Sequence, residues 1–151
     1  MPKQKSLKKN KRSFLEAKVK WTENSSSYTL LSGNIYLSDQ LGIDTRRHVF
    51  FGGNDFAKRW GDEKNLSFTI GETGFGAGLN FLITAEAWLK YRGLEGTGIL
   101  NFVSAENSPL PKKDLIRILS LTPEFSELAN DLIEYYPPPI SGIHRLYFRD
   151  K

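Results

Sequence analysis

The segment Phe68-Thr69-Ile70-Gly71-Glu72-Thr73-Gly74-Phe75-Gly76-Ala77-Gly78-Leu79-Asn80 sets glycines in alternation directly behind an apolar run. Glycine tolerates positive φ and lets a ligand reach the main chain with no Cβ in the way. Between a strand and a helix, such a loop is a cradle for a small ligand. The dinucleotide fingerprint G-x-G-x-x-G needs its third glycine where Leu79 stands. The P-loop needs Gly-Lys-Ser/Thr, and this loop holds no lysine. Glu72 weighs the same way, because a carboxylate beside the loop repels pyrophosphate. It suits an amino group or a bridging water. A ligand with a cationic end and no phosphates is preferred, and S-adenosylmethionine is such a ligand. A second acid, Glu106, follows Gly78 by 28 residues, at the end of the next apolar run. There it can take two hydrogen bonds from the ribose hydroxyls of an adenosine.

These residues need elements to hold them. Leu66 to Ile70 reads as a buried strand, and Leu79 to Arg92 as a helix with Leu79, Leu82, Ile83 and Leu89 on one face beside Ala85. Ile99 to Ser104 is a second buried strand that ends at Ala105-Glu106. Strand, glycine loop, helix, strand is a βαβ unit, which predicts an α/β fold with a parallel sheet. Upstream, Val19 and Trp21 mark a short strand, and Tyr28–Leu31 with Ile35–Leu37 read as a hairpin. Asp44 is placed to cap a helix over Thr45–Phe51, stopped by Gly52-Gly53. Downstream, Pro111 leads into a helix with Leu115, Ile116 and Leu119 inward. Thr122 then caps a helix with Phe125, Leu128, Leu132 and Ile133 inward, and Ile143, Leu146 and Phe148 suggest a last strand. Residues 1–20 are predicted as a tail, 21–65 as a hairpin-and-helix region, and 66–151 as the first part of a ligand-binding α/β domain.

Of the 151 residues none is cysteine, which excludes disulfides, thiolate metal sites and a cysteine nucleophile. His48 and His144 are the only histidines, too few for a metal site of their own, so no metal is expected. No run of 18 apolar residues predicts a membrane span, and no apolar stretch follows the basic N-terminus to make a secretory signal. The net charge of +4 is uneven. Residues 1–20 carry eight basic side chains (Lys3, Lys5, Lys8, Lys9, Lys11, Arg12, Lys18 and Lys20) against one acid, Glu16. The other 131 residues hold 13 basic and 16 acidic groups. A basic arm of this kind suits contact with a phosphate backbone, or simply solvation of a terminus.

Ile70 to Leu82, with Gly71-Glu72-Thr73-Gly74-Phe75-Gly76-Ala77-Gly78-Leu79-Asn80 at its centre, closely resembles the cofactor loop of the bacterial tRNA 5-methylaminomethyl-2-thiouridine methyltransferase family. Three further segments are similar to that family: Val49 to Trp60 with its Gly53-Asn54-Asp55, Phe102 to Leu110 around Glu106, and Tyr135-Tyr136-Pro137 with Gly142 to Leu146. The resemblance covers about Trp21 to Asp150. Ala105 stands where the family commonly has Phe or Tyr, and Asn107 where it has Lys.

What the resemblance implies is a Rossmann-like class I methyltransferase fold, in part. The implied reaction is transfer of a methyl group from S-adenosylmethionine to the amine of 5-aminomethyl-2-thiouridine at the tRNA wobble position. The implied cofactor-binding residues are Glu72, Gly74, Phe75, Gly76, Gly78 and Glu106, joined by Tyr36 and Asn54, which lie in segments the family places near the cofactor. Catalytic residues are expected beyond Lys151, so none is assigned within the chain. Full-length relatives add an oxidoreductase domain that uses FAD. The expected partners are tRNA and the remainder of the enzyme on a separate chain, in the cytoplasm. Two other readings stay open: an NAD-type Rossmann oxidoreductase, and a non-catalytic RNA-binding remnant acting through its tail.

Overall fold

The computed structural model describes residues 17–21, 27–30, 35–37, 40–60, 67–95 and 98–148. Of the predicted tail, residues 1–16 lie outside this set, but Ala17 to Lys20 belong to the fold. Ala17 is buried, and its amide donates to the Pro109 carbonyl at 3.1 Å. Strand β1, Val19–Trp21, begins two residues later. It pairs antiparallel with β2, Ser27–Leu30, which pairs antiparallel with β3, Ile35–Leu37, as the alternating β-prone runs predict. Arg117 lies over the Trp21 ring at 3.8 Å and ties this small sheet to the rest of the molecule.

Helix α1 spans Gln40–Arg46 and so begins before the predicted start. Its core anchor is Ile43, which lies N-terminal to the expected cap. Asp44 is therefore inside the helix, 3.9 Å from Arg47, rather than at its start. The chain continues as a π-helical turn, Arg47–Gly52, closed by the Gly53 amide on the His48 carbonyl. A Cβ on Gly53 would collide with the Val49 carbonyl oxygen, which is why the turn ends on glycine. Helix α2, Phe56–Trp60, completes the segment.

Strand β4 runs Ser67–Thr73 and pairs in parallel with β5, Ile99–Ala105. It is longer than predicted, passing through Gly71 and Glu72 before the chain turns. Helix α3, Leu79–Glu95, joins the two strands and runs through Gly93. Its predicted face is the core: Leu79, Leu82, Ile83 and Ala85 are buried, and Leu89 packs beside them. Burying one such side chain contributes about 1.5–3 kcal/mol. Trp60 and Trp88 meet edge to face at 5.0 Å in a second cluster with Phe56 and Ile70.

Helix α4, Lys112–Leu119, buries Leu115, Ile118 and Leu119. Ile116 faces outward, because Ile118 and Leu119 both take the inward stripe set by Leu115. Thr122 makes no side-chain cap: its hydroxyl donates back to the Leu119 carbonyl at 2.9 Å. A short 3₁₀ turn, Pro123–Phe125, then opens α5, Ser126–Tyr135, which buries Leu128, Ala129 and Leu132. The last predicted strand does not form. Residues 143–148 have no ladder partner among the described residues, and Ile143 is fully exposed. Phe148 alone packs inward, edge-on to Phe81 at 4.9 Å.

Candidate functional site

The ends of β4 and β5 carry both candidate acids. Along β4 the residues facing α3 are Phe68, Ile70 and Glu72, so Glu72 is the last inward position of a strand and not part of the loop proper. Its register partner on β5 is Ser104. The Ser104 hydroxyl donates to Glu72 Oε1 at 2.9 Å, and Asn80 Nδ2, from the first turn of α3, donates to Oε2 at 3.1 Å. Burial among these elements pushes the Glu72 carboxyl above the usual range. The Asn80 and Ser104 bonds oppose that rise, and the charge of Glu106 adds to it.

Glu106 follows β5 directly and is held by main chain. Its Oε2 accepts from the Gly76 amide at 3.0 Å and its Oε1 from the Ser108 amide at 2.7 Å. Three glycines of the loop have positive φ: Gly74 at 85°, Gly76 at 55° and Gly78 at 75°. Here the glycines are required, since side chains rarely adopt this backbone. Gly78 is also crowded: a Cβ there would meet Phe75 and Leu132 side chains at 2.7 and 2.9 Å. Over Gly71 and Gly74, by contrast, a Cβ would meet no heavy atom within 4 Å. A Cβ would thus find open space at Gly74, where the chain leaves β4, and at Gly71 on the strand face opposite Glu72.

This loop differs from a phosphate cradle in one decisive respect. An anion site needs amides free to donate to the ligand. Here the Gly74 amide donates to the Ala105 carbonyl at 2.7 Å, Gly76 to Glu106, and Gly78 to the Phe75 carbonyl at 2.9 Å. The three positive-φ glycines spend their amides on the protein's own structure, and two acids stand beside them.

Phe75 sits half-buried in the loop, between Phe81 at 6.4 Å and Tyr136 at 6.5 Å. Tyr136 has no role in the motif reading, yet it borders the site. Its hydroxyl donates to the Leu110 carbonyl at 3.1 Å. Burial, with the charge of Glu106, pushes the phenol up to about 12. Asn80, Ser104 and Ser108 fall within the segments that resemble the family but are assigned no role there.

Of the two further expected residues, Asn54 and Tyr36, the structure describes the side chain of the first. Asn54 is exposed and donates to the Phe50 carbonyl at 2.7 Å, closing the end of the π-helical turn. Tyr36 lies on β3 opposite Tyr28, and its side chain falls outside what the structure describes. His144 is exposed and bonds to the Ile140 carbonyl at 2.8 Å. Among the described residues, no group of three or more His, Cys, Asp or Glu side chains is placed to hold a metal ion. No helix among them is long and apolar enough to cross a membrane.

Fold and site together define an α/β protein whose parallel strand, glycine loop, helix and strand are compatible with a Rossmann-like fold. No protein-family model matches the chain. It is similar to proteins named tRNA 5-methylaminomethyl-2-thiouridine biosynthesis bifunctional protein MnmC. The relative from Aeromonas hydrophila is 38% identical over 137 residues, 90% of this chain and 21% of that protein. The one from Acinetobacter baylyi is 44% identical over 120 residues, covering 79% of this chain and 19% of the relative. The Legionella pneumophila (strain Corby) protein is 39% identical over 139 residues, covering 89% and 20%. The chain thus spans about one fifth of the length of these relatives.

Proposed function

We propose that this chain forms the S-adenosylmethionine-binding part of a methyltransferase that modifies the tRNA wobble uridine. The observation that carries the reading is the pair of acids at the ends of β4 and β5, beside a loop whose Gly74, Gly76 and Gly78 amides are already used. Such a site disfavours a pyrophosphate and favours a ligand with a cationic end. The names of the similar proteins supply the substrate class, tRNA, and the product, 5-methylaminomethyl-2-thiouridine.

The residues fit the cofactor. Glu72 would face its cationic amino acid end. Glu106, pre-set by two amides, retains lone pairs for ribose hydroxyls. The open backbone at Gly74 admits a ligand against the main chain, and Phe75 offers an apolar wall. When bound, S-adenosylmethionine supplies an electrophilic methyl group. What this chain contributes is position: it orients the ligand by its polar ends and keeps water from the half-buried carboxylates. No residue here is assigned to take the proton of the substrate amine; the family resemblance puts that role beyond Lys151. The basic segment of residues 1–16 suits tRNA, and the setting proposed is the cytoplasm. The flavin chemistry of a bifunctional enzyme has no counterpart in the site described.

The test is calorimetric titration of the chain with S-adenosylmethionine, S-adenosylhomocysteine and NAD. Binding of the first two without the third supports the reading. Binding of NAD alone selects the oxidoreductase alternative, and tRNA binding without either ligand selects an RNA-binding role.

A further inference from the structure

We propose that Asn80 and Ser104 are positioning residues that hold the Glu72 carboxylate charged and aimed for a cationic ligand. The proposal rests on the cofactor reading above. Glu72 has two oxygens, and each has one donor: Ser104 from the neighbouring strand and Asn80 from the first turn of α3. The groups bearing on Glu72 are these two and one charge, the carboxylate of Glu106, which opposes its ionisation. Burial opposes it as well.

The amide of Asn80 is turned to serve the carboxylate. Its Nδ2 is committed to Glu72, while its Oδ1 is buried with no hydrogen-bond partner. An orphaned buried acceptor is costly. Turned over, the amide would set Oδ1 against the carboxylate, acceptor against acceptor, and this is the worse arrangement as long as Glu72 is charged. A residue serving only to start a helix has no reason to leave an acceptor stranded. Ser104 is placed for the same end by register alone, since parallel pairing sets it opposite Glu72.

Without either donor, burial and the Glu106 charge prevail, and Glu72 holds its proton to higher pH. A neutral Glu72 is a poorer partner for a cation. The consequence is specific: loss of the clamp should weaken ligand binding on the acid side and leave it near normal on the alkaline side.

The experiment titrates S-adenosylmethionine into the full chain and into Asn80→Leu, Ser104→Ala and Ser104→Thr, from pH 5.5 to pH 8.5. At the acid end the first two variants should bind about tenfold more weakly than the native chain, the scale of one hydrogen bond to a charged group. The difference should close toward pH 8.5, and Ser104→Thr should restore the native profile. Weakening by one factor at every pH would mean a merely structural role and overturn the proposal. A ligand-free readout separates it from the cofactor reading: the carbon-13 NMR titration of the Glu72 carboxyl. An unmoved midpoint in both Asn80→Leu and Ser104→Ala overturns the clamp, whatever the ligand does. A raised midpoint in a chain that binds no S-adenosylmethionine supports the clamp and overturns the cofactor reading alone.

Discussion

The Gly76 amide donates to Glu106 Oε2 at 3.0 Å, which ties the middle of the glycine loop to the acid 30 residues further along the chain. The bond fixes two things at once. It places a carboxylate where a dinucleotide-binding loop would offer a donor to phosphate. It also makes the loop's conformation depend on β5, because Glu106 follows that strand without a gap. Loop and acid form one unit, and a change in either should be felt by both.

Gly76→Val tests that unit from the loop side. The backbone there has φ of 55°, and a β-branched residue in this region costs roughly 1–3 kcal/mol. The loop should shift, release Glu106 and lose S-adenosylmethionine binding. Calorimetry, with circular dichroism to confirm the fold, is the check. Native affinity in a folded variant would mean that the loop does not hold the ligand.

From the other side, Glu106→Ala should weaken S-adenosylmethionine by roughly 1.5–3 kcal/mol. An analogue lacking the ribose 2′-hydroxyl should lose much less on the same substitution. If both ligands suffer alike, Glu106 acts through the loop and not through the ribose.

Glu72→Gln should separate stability from binding. The Glu72 carboxyl is raised in the folded state, so the folded protein holds that proton more tightly than the unfolded chain. Its contribution is therefore fully present below the ordinary carboxylate value and lost as pH rises through the raised folded value. The glutamine variant has no such loss. It should melt higher than the native chain near neutral pH while binding the cationic ligand more weakly, and the gain should vanish in acid. Thermal melts at pH 4 and pH 7 decide the point, and a lower melting temperature at pH 7 would refute it.

The outer face of the parallel pair leads to a prediction about association. Parallel sheets are normally covered on both faces. Here Ile99 and Val103 point away from α3 and are 63% and 60% exposed. The 151-residue chain should self-associate, and a Val103→Lys variant should do so less. Sedimentation analysis of both would show it, and a native chain that stays monomeric at high concentration would contradict it.

Much of this architecture can be read from local pattern. The glycine loop, the β-prone runs on either side of α3 and the Leu79–Leu82–Ile83 stripe are short-range signals, and each appears where expected. What escaped reading depends on tertiary partners. Gly71 looks like loop but lies in β4, because pairing with Val103 holds it extended, and this moves Glu72 from the loop to the sheet. Thr122 and Pro123 look like a cap and a first turn, yet the hydroxyl turns back to Leu119. Tyr136 and Asn80 lie in segments that resemble the family, yet only packing shows that they border the acids. Ile143 to Phe148 has the composition of a strand, but β structure needs a neighbour to pair with.

The most direct test of the cofactor reading is the binding isotherm of S-adenosylmethionine on the chain, compared with NAD at the same concentrations and with Gly76→Val. The account predicts saturable one-to-one binding of S-adenosylmethionine, none of NAD, and loss of the first in the variant. Saturable binding of NAD alone, or an unchanged S-adenosylmethionine isotherm in a folded Gly76→Val protein, would contradict it.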